Sequence, residues 1–324
     1  MKTSRMLAGF ALCAVMTGFA INSHAQTYPN QTVRIVVAYP PGGPTDLIGR
    51  LIAQKLSDTI GQQFIIENRG GSNGVIGTEA VVRSKPDGYT LLLGTSSLAS
   101  NGFLYSKLPY DAGKDLTPIS LTASTPYFLA INASLAASSV KDLIALAKAQ
   151  PGKFHFGSAG NGSGPHLAGE MFNMETGVKL VHVPYKGTGP AVTDLAGGQI
   201  ELMFVGLPAL SPQVKAGKLR LLAVAESKRV SLMPDLPTVA EAGVAGFESS
   251  AWFGFFGPAG VPREIPIRLA NELTRIMQTK DVQDRMIAFG AVPLWSTPAQ
   301  FENYFREESI RYSKLIKAAN VTID

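Results

Sequence analysis

The residues able to do chemistry gather at five turns rich in Gly, Ser, Thr, Asn or Pro, each following a short apolar run. They are Pro40-Pro41-Gly42-Gly43-Pro44-Thr45-Asp46, Gly94-Thr95-Ser96-Ser97, Ser158-Ala159-Gly160-Asn161-Gly162-Ser163-Gly164-Pro165-His166, Pro184-Tyr185-Lys186-Gly187-Thr188-Gly189 and Val205-Gly206-Leu207-Pro208. Ligands of open α/β sheets sit beyond the carboxyl ends of strands, so five such turns describe a cleft lined mainly by neutral donors. The first says most. VRIVVAYPPGGPTDLIGRLIAQKL (33–56) reads as a strand, an elbow, and a helix starting at Thr45 or Asp46 with apolar Leu47, Ile48, Leu51, Ile52 and Leu56. Gly42 and Gly43 let backbone approach a bound group, and the unpaired N–H groups of the first helical turn suit a small anion. Glycines here also serve any strand-to-helix turn, so the elbow alone is no proof of a site.

From the five turns the candidate ligand contacts are Pro41, Gly42, Gly43, Thr45 and Asp46 in the first and Thr95 and Ser96 in the second. The third supplies Ser158, Asn161, Gly162 and His166, the fourth Lys186, Gly187 and Thr188, and the fifth Val205 and Gly206. Lys186 is the one lysine or arginine among them, and a surface lysine is the alternative reading. Enzyme motifs fail. Neither Ser158 nor Ser163 has glycine at both −2 and +2, as a nucleophile elbow needs. Gly160-Asn161-Gly162-Ser163-Gly164-Pro165 ends in proline where a dinucleotide fingerprint wants glycine, and no Walker sequence is present. His166 and Glu170 have the i, i+4 spacing of two metal ligands without a third nearby, so no metal is expected. His155 and His182 fall in strand-like runs and read as scaffold residues.

The elements that must position these turns alternate along the chain. Strand-like runs are Val33–Tyr39, Phe64–Glu67, Thr90–Gly94, Tyr127–Ile131, Phe154–Ser158, Leu180–Val183, Ile200–Val205, Leu219–Ala225 and Trp252–Gly257, with amphipathic stretches such as Val140–Ala149, Leu167–Thr176 and Pro190–Ala196 between them. That pattern predicts an α/β chain with mostly parallel sheets and two domains. After Pro258 the chain reads as helical, over Pro262–Thr279, Val282–Gly290 and Pro298 to about Ala318. Without an internal repeat or low-complexity linker, two lobes joined by more than one crossing are expected.

Lys2 and Arg5 precede an apolar run, Met6 to Ile21, and Ser23-His24-Ala25 offers small residues at −3 and −1. Residues 1–25 therefore read as a signal peptide cleaved after Ala25. Leu12 before the single cysteine, Cys13, suits a lipoprotein signal poorly, so the mature chain is expected to be soluble and free of cysteine. No other run approaches the ~20 apolar residues of a membrane span. Without disulfides the core must suffice, and roughly 300 residues can bury about three quarters of their unfolded surface. The formal charge is +5 for the whole chain and +3 with residues 1–25 removed. These charges are scattered rather than clustered with aromatics, which speaks against a nucleic-acid partner.

From Tyr28 onward the chain resembles the Bug-type solute-binding proteins of tripartite tricarboxylate transporters. The likeness rests on ordered blocks over nearly the whole length, among them YPNQTVRIVVAYPPGGPTD (28–46), ENRGGSNGVIGTEAV (67–81), PDGYTLLLGTSS (86–97), GSAGNGSGPHLAGE (157–170) and VHVPYKGTGPAVTDLAGGQIELMF (181–204). The resemblance implies a two-lobed periplasmic-binding-protein (Venus-flytrap) fold with two hinge crossings. By it, lobe one comprises 26–123 and 250–324, and lobe two 124–249, with hinge strands near Ser120–Ser124 and Glu248–Phe253. It also implies a carboxylate held by main-chain amides from Gly42 to Asp46, and a periplasmic receptor delivering a small organic acid to a membrane permease. Val205-Gly206 stands where many relatives carry a polar pair, so either a more apolar ligand wall is expected there or the segment faces the core instead. Trp252 reads either as a hinge-side wall of the cleft or as core. The expected state is a monomer without cofactor and without enzymatic activity. A ligand sensor for a membrane signalling partner would have the same sequence, and an exported hydrolase is the weakest reading, for want of a nucleophile and base.

Overall fold

The computed structural model describes residues 28–323. The signal peptide, its cleavage after Ala25 and Cys13 lie outside the described residues. In chain order the elements are β1 (Val33–Val37), α1 (Pro44–Ile60), β2 (Phe64–Asn68), α2 (Val75–Val82), β3 (Thr90–Thr95), α3 (Ser97–Leu104), α4 (Ala112–Asp115), β4 (Leu116–Asn132), α5 (Val140–Ala149), β5 (His155–Ser158), α6 (Gly164–Thr176), β6 (Val181–Pro184), α7 (Thr188–Gly197), β7 (Leu202–Gly206), α8 (Leu207–Lys215), β8 (Leu219–Val224), β9 (Ser250–Pro258), α9 (Glu264–Met277), α10 (Lys280–Ala288), β10 (Val292–Pro293) and α11 (Pro298–Ala319). Among the described residues no helix is long and apolar enough to cross a membrane.

The strands follow the order β2-β1-β3-β9-β4-β7-β5-β6, with β10 and β8 also paired to β4. β4 divides this curled sheet. Its first part pairs with β9 from Leu116↔Pro258 to Pro126↔Ser250, and its last part with β7 and β8. Two lobes result, joined by β4 and by the return of the chain from β8 into β9. The register of β4 against β9 shifts between Pro118 and Ser120 and again between Leu121 and Ala123, which bends the strand where it passes between lobes. The expectation of mostly parallel sheets needs correction. β1, β2 and β3 run parallel, as do β5, β6 and β7, but every pairing of β4 and β9 is antiparallel. Each lobe is a parallel α/β unit closed on its inner edge by a strand shared with, or borrowed from, the other crossing.

Alternation along the strands explains the core. In β1, Val33, Ile35 and Val37 pack with Ile48, Leu51 and Ile52 of α1 and with Leu269 and Leu273 of α9, while Val36 turns to the opposite face. In β7, Leu202 and Phe204 join the cluster with Phe172, whereas Met203 and Val205 join the one with Ala191 and Leu195 of α7. The first part of β4 carries polar residues in a buried strand, and most of them find partners, the Thr125 hydroxyl being the exception. Ser120 Oγ donates to Ser296 O at 2.9 Å and Thr122 Oγ1 to Phe253 O at 3.1 Å. α11 starts with a capping box of Thr297 and Gln300 and packs against both α3 and α6, so it bridges the lobes. Trp252 is fully buried against Phe301, Phe305 and Tyr304 of that helix, its Nε1 donating to Glu308 Oε2 at 3.2 Å. It belongs to the core and not to the cleft.

Candidate functional site

A cavity of about 420 Å³ opens between the lobes. Four helices point their N-termini at it: α1 and α3 from the first lobe through Pro44, Thr45, Ser96 and Ser97, α6 and α7 from the second through Ser163, Gly164 and Thr188. Gly43, Ser96, Ser163 and Gly187 are the N-cap residues, and none of them uses a side chain to cap its own helix. The first-turn N–H groups have no acceptor within their helices, and each helix adds the positive end of its dipole. Among the described residues no Asp, Glu, Lys, Arg or His lines the cavity. The field inside is thus set by backbone amides and hydroxyls.

Neutral hydroxyls fill one side. Tyr39 Oη lies 3.0 Å from Thr95 Oγ1 and 2.7 Å from Ser97 Oγ, and those two oxygens are 2.9 Å apart. Such a ring of hydroxyls can turn its protons toward or away from an incoming oxygen. Tyr312 of α11 hydrogen-bonds Ser96, and burial raises the pKa of Tyr39, Tyr127 and Tyr312 above the ordinary phenol range, so all three act as neutral groups. The other side is apolar, with Leu167, Ala251 and Phe253 beside the Tyr127 ring. The arrangement suits a solute with an anionic head and an apolar body. Among the described residues no group of three His, Cys, Asp or Glu could hold a metal.

Of the residues singled out from sequence, Thr45, Thr95, Ser96, Gly162 and Thr188 line the cavity. The rest do not. Pro41 and Gly42 are exposed on the outer bend, and the Gly42 N–H is already given to Asp46 Oδ2 at 2.9 Å. Of the two, only Gly42, with φ +84°, needs glycine; Gly43 has φ −81°, and a Cβ there would make an ordinary contact with Pro40 O at 3.9 Å. Asp46 is a brace. Its carboxylate also accepts Arg50 Nε and Asn68 Nδ2, each at 2.9 Å, and although burial opposes ionisation these bonds hold it below the usual carboxylate range. Asn161 and Lys186 are exposed and off the cavity wall, and Gly187, with φ +106°, starts α7. Val205 is core and Gly206 pairs with Tyr127 across β7 and β4 while starting α8, so the expected wall there is not part of the cavity.

Ser158 and His166 lie just behind the wall. Ser158 is fully buried, and its Oγ is 2.7 Å from His182 Nε2. Sequence reasoning missed this serine–histidine pair because the two residues are on neighbouring strands. The hydroxyl is closed off from the cavity and also bonds Gly160 O at 3.1 Å, so it is a structural contact rather than an exposed nucleophile. Sequence reasoning also missed Tyr39, the last residue of the strand run before the first turn, and Tyr127, Phe253 and Tyr312, whose local sequence carries no turn signal, whereas Ser97, Ser163 and Gly164 stand within the quoted turns.

Fold and site together define a two-lobed solute-binding protein with an anion-suited cavity at the junction. The model of the tripartite tricarboxylate transporter family receptor matches residues 48–321, and the chain belongs to that family. It is 37% identical over 319 residues to Protein BugT of Bordetella pertussis, covering 98% of each chain. Among solved structures it is similar to R. palustris Rpa4515 with adipate (36% identity, TM-score 0.78, 91% of this chain and 100% of that one). It is also similar to MatC (Rpa3494) from Rhodopseudomonas palustris with bound malate (31% identity, TM-score 0.72, 89% and 100%).

Proposed function

We propose that this protein is a periplasmic receptor that closes its lobes on the carboxylate of a small organic acid and hands the ligand, unchanged, to a tripartite tricarboxylate-type permease. One observation carries the reading: four helix N-termini converge on a cavity that, among the described residues, no charged side chain lines. Removing a carboxylate from water costs several kcal/mol, and charge-assisted bonds from fixed amides offset that without the desolvation of a second ion. The adipate and malate found in similar proteins support a carboxylate, and the apolar side at Leu167 and Phe253 supports a ligand with a hydrocarbon body. The hinge is assigned to β4 near Ser124 and to the entry of β9 near Ser250, dividing lobe one (26–123 and 250–324) from lobe two (124–249). Ligand contacts on both sides favour the closed state over the open one.

A thermal-shift screen of mono- and dicarboxylates, followed by calorimetry of the best acid and its primary amide, tests this. The acid should bind at least tenfold tighter, about 1.4 kcal/mol. Equal affinities would reject the amide-held carboxylate. Mass spectrometry of the recovered ligand should return it intact, and a new product would favour an enzyme.

A further inference from the structure

Behind the second lobe's binding turn, two imidazoles lie face to face. The rings of His166 and His182 are 3.7 Å apart between centroids with 13° between planes, and Phe156 stacks on His182 at 5.0 Å. His166 is the third residue of α6 and nearly buried, and its Nδ1 accepts the N–H of Gly162, a cavity-wall residue, at 3.0 Å. His182 reaches the same turn from β6. Its Nε2 contacts Ser158 Oγ, which accepts from Gly160 N and lies against Gly160 O, both at 3.1 Å, and Ser163 Oγ donates to Gly160 O at 2.7 Å. Residues 160–163 are thereby hung on the imidazole pair.

The hydrogen-bond directions assign the proton of His166. An amide N–H can only donate, so Nδ1 of His166 is bare and Nε2 carries its hydrogen, 3.7 Å from Glu170 Oε1. Ser158 Oγ lies 2.7 Å from His182 Nε2 and 3.1 Å from Gly160 O, so its one proton serves one of the two and the His182 ring donates or accepts to match. Both rings are neutral. A proton added to His166 can only go to Nδ1, where it turns the acceptor of Gly162 into a second donor. Added to His182, it places a cation against the face of another ring. Glu170, on α6, is the charged group facing the pair; β6 supplies only His182, and β5 only the uncharged Phe156 and Ser158. Burial, and then His166 beside it, push His182 down to about 4.

We propose that His166 and His182 are positioning residues of the anion site, a stacked pair that holds Gly160–Ser163 in ligand-binding shape. The ligand half of this proposal rests on the reading of the cavity as an anion site; the structural half does not. The test uses the mature full-length chain. Without ligand, imidazole ¹⁵N spectra at about pH 8 should show the Nε2–H form for His166, and the Gly162 amide should be protected from exchange in wild type and exposed in His166→Ala, which deletes its acceptor. His166→Asn places a carbonyl oxygen near Nδ1, so protection should return. With adipate and malate as probes at one pH, His166→Ala should bind about tenfold more weakly than wild type, about 1.4 kcal/mol, and His166→Asn nearly as tightly as wild type. Should His166→Ala fold poorly, His182→Ala, which removes the contact to Ser158, replaces it, with His182→Gln as the conservative variant. An Nδ1–H form of His166 at pH 8, or protection and affinity unchanged in the folded alanine variant, overturns the proposal. Failure of wild type to bind any carboxylate defeats the anion reading instead, and the ligand-free spectra and protection still decide the role of the pair.

Discussion

Gly164→Ala tests how the second lobe brings its amides to the ligand. Gly164 is the first residue of α6, and a Cβ built there would lie 2.1 Å from Tyr127 Oη and 3.0 Å from Cζ. Ordinary contact needs about 3.4 Å or more, so helix and ring must part by over an ångström. The ring cannot give that easily. Tyr127 is 8% exposed, its backbone pairs with Gly206, and its carbonyl accepts Ala225 N at 2.7 Å. Overpacking of this kind costs about 1–3 kcal/mol of stability. The start of α6 is then displaced from the cavity, and losing one charge-assisted amide bond weakens carboxylate binding by about 1.5–3 kcal/mol, tenfold to a hundredfold. Adding Tyr127→Phe deletes the atom at 2.1 Å and leaves a tight but bearable 3.0 Å contact, so the double variant should regain at least half of the lost stability. Urea unfolding without ligand and calorimetry with the acid found by screening give both quantities. A Gly164→Ala protein with wild-type stability and affinity, or a double variant no better than the single, would refute the close approach as the reason for this glycine.

Three further outcomes are expected. Gly42→Ala, forced to φ +84°, should lose about 1 kcal/mol in thermal unfolding, while Gly43→Ala, at φ −81° with room for a Cβ, should be near neutral; the reverse order would show that the elbow has another shape. Asp46→Ala removes the acceptor of Gly42 N–H, Arg50 and Asn68 together, so a loss of about 2–4 kcal/mol and weaker ligand binding should appear in paired unfolding and calorimetry, and an unchanged midpoint would remove Asp46 as the brace. Burial and then Glu248 push Glu226 up to about 7 at the hinge, where Ser124 Oγ donates to it at 3.4 Å. A folded value above the unfolded one near 4.5 means that the native state holds the extra proton between them, so stability falls as pH rises through 7. Glu226→Gln should therefore stabilise the protein by about 1–3 kcal/mol at pH 8 and by almost nothing at pH 5, and equal stability at both would deny the buried charge.

Local pattern was enough for much of this protein. Strand runs such as Val33–Val37 and Leu202–Val205 are visible because apolar residues fill both faces, and the five turns because Gly, Pro and small polar residues mark where strands yield to helices. The ordered blocks from Tyr28 onward carried the family, and with it two lobes. The first part of β4, LTPISLTAS, reads as loop from its Ser and Thr and is placed as a hinge strand near Ser120–Ser124 by resemblance alone, because β9, Ser296 and Glu226 satisfy those groups only in the folded interior. The parallel reading failed for the same reason, since the antiparallel pairing of β4 and β9 is a contact between segments more than 100 residues apart. At the site, sequence located the turns but not which face of each turn looks inward. Asp46, Ser158 and His166 have the residue types of ligand contacts, yet their polar atoms satisfy backbone of their own turns, while Tyr39, Tyr127 and Tyr312, from a strand end, a strand and the last helix, reach the cavity. Residue type fixes what a group can bind; which partner it meets depends on how β4 and α11 bring the two lobes together.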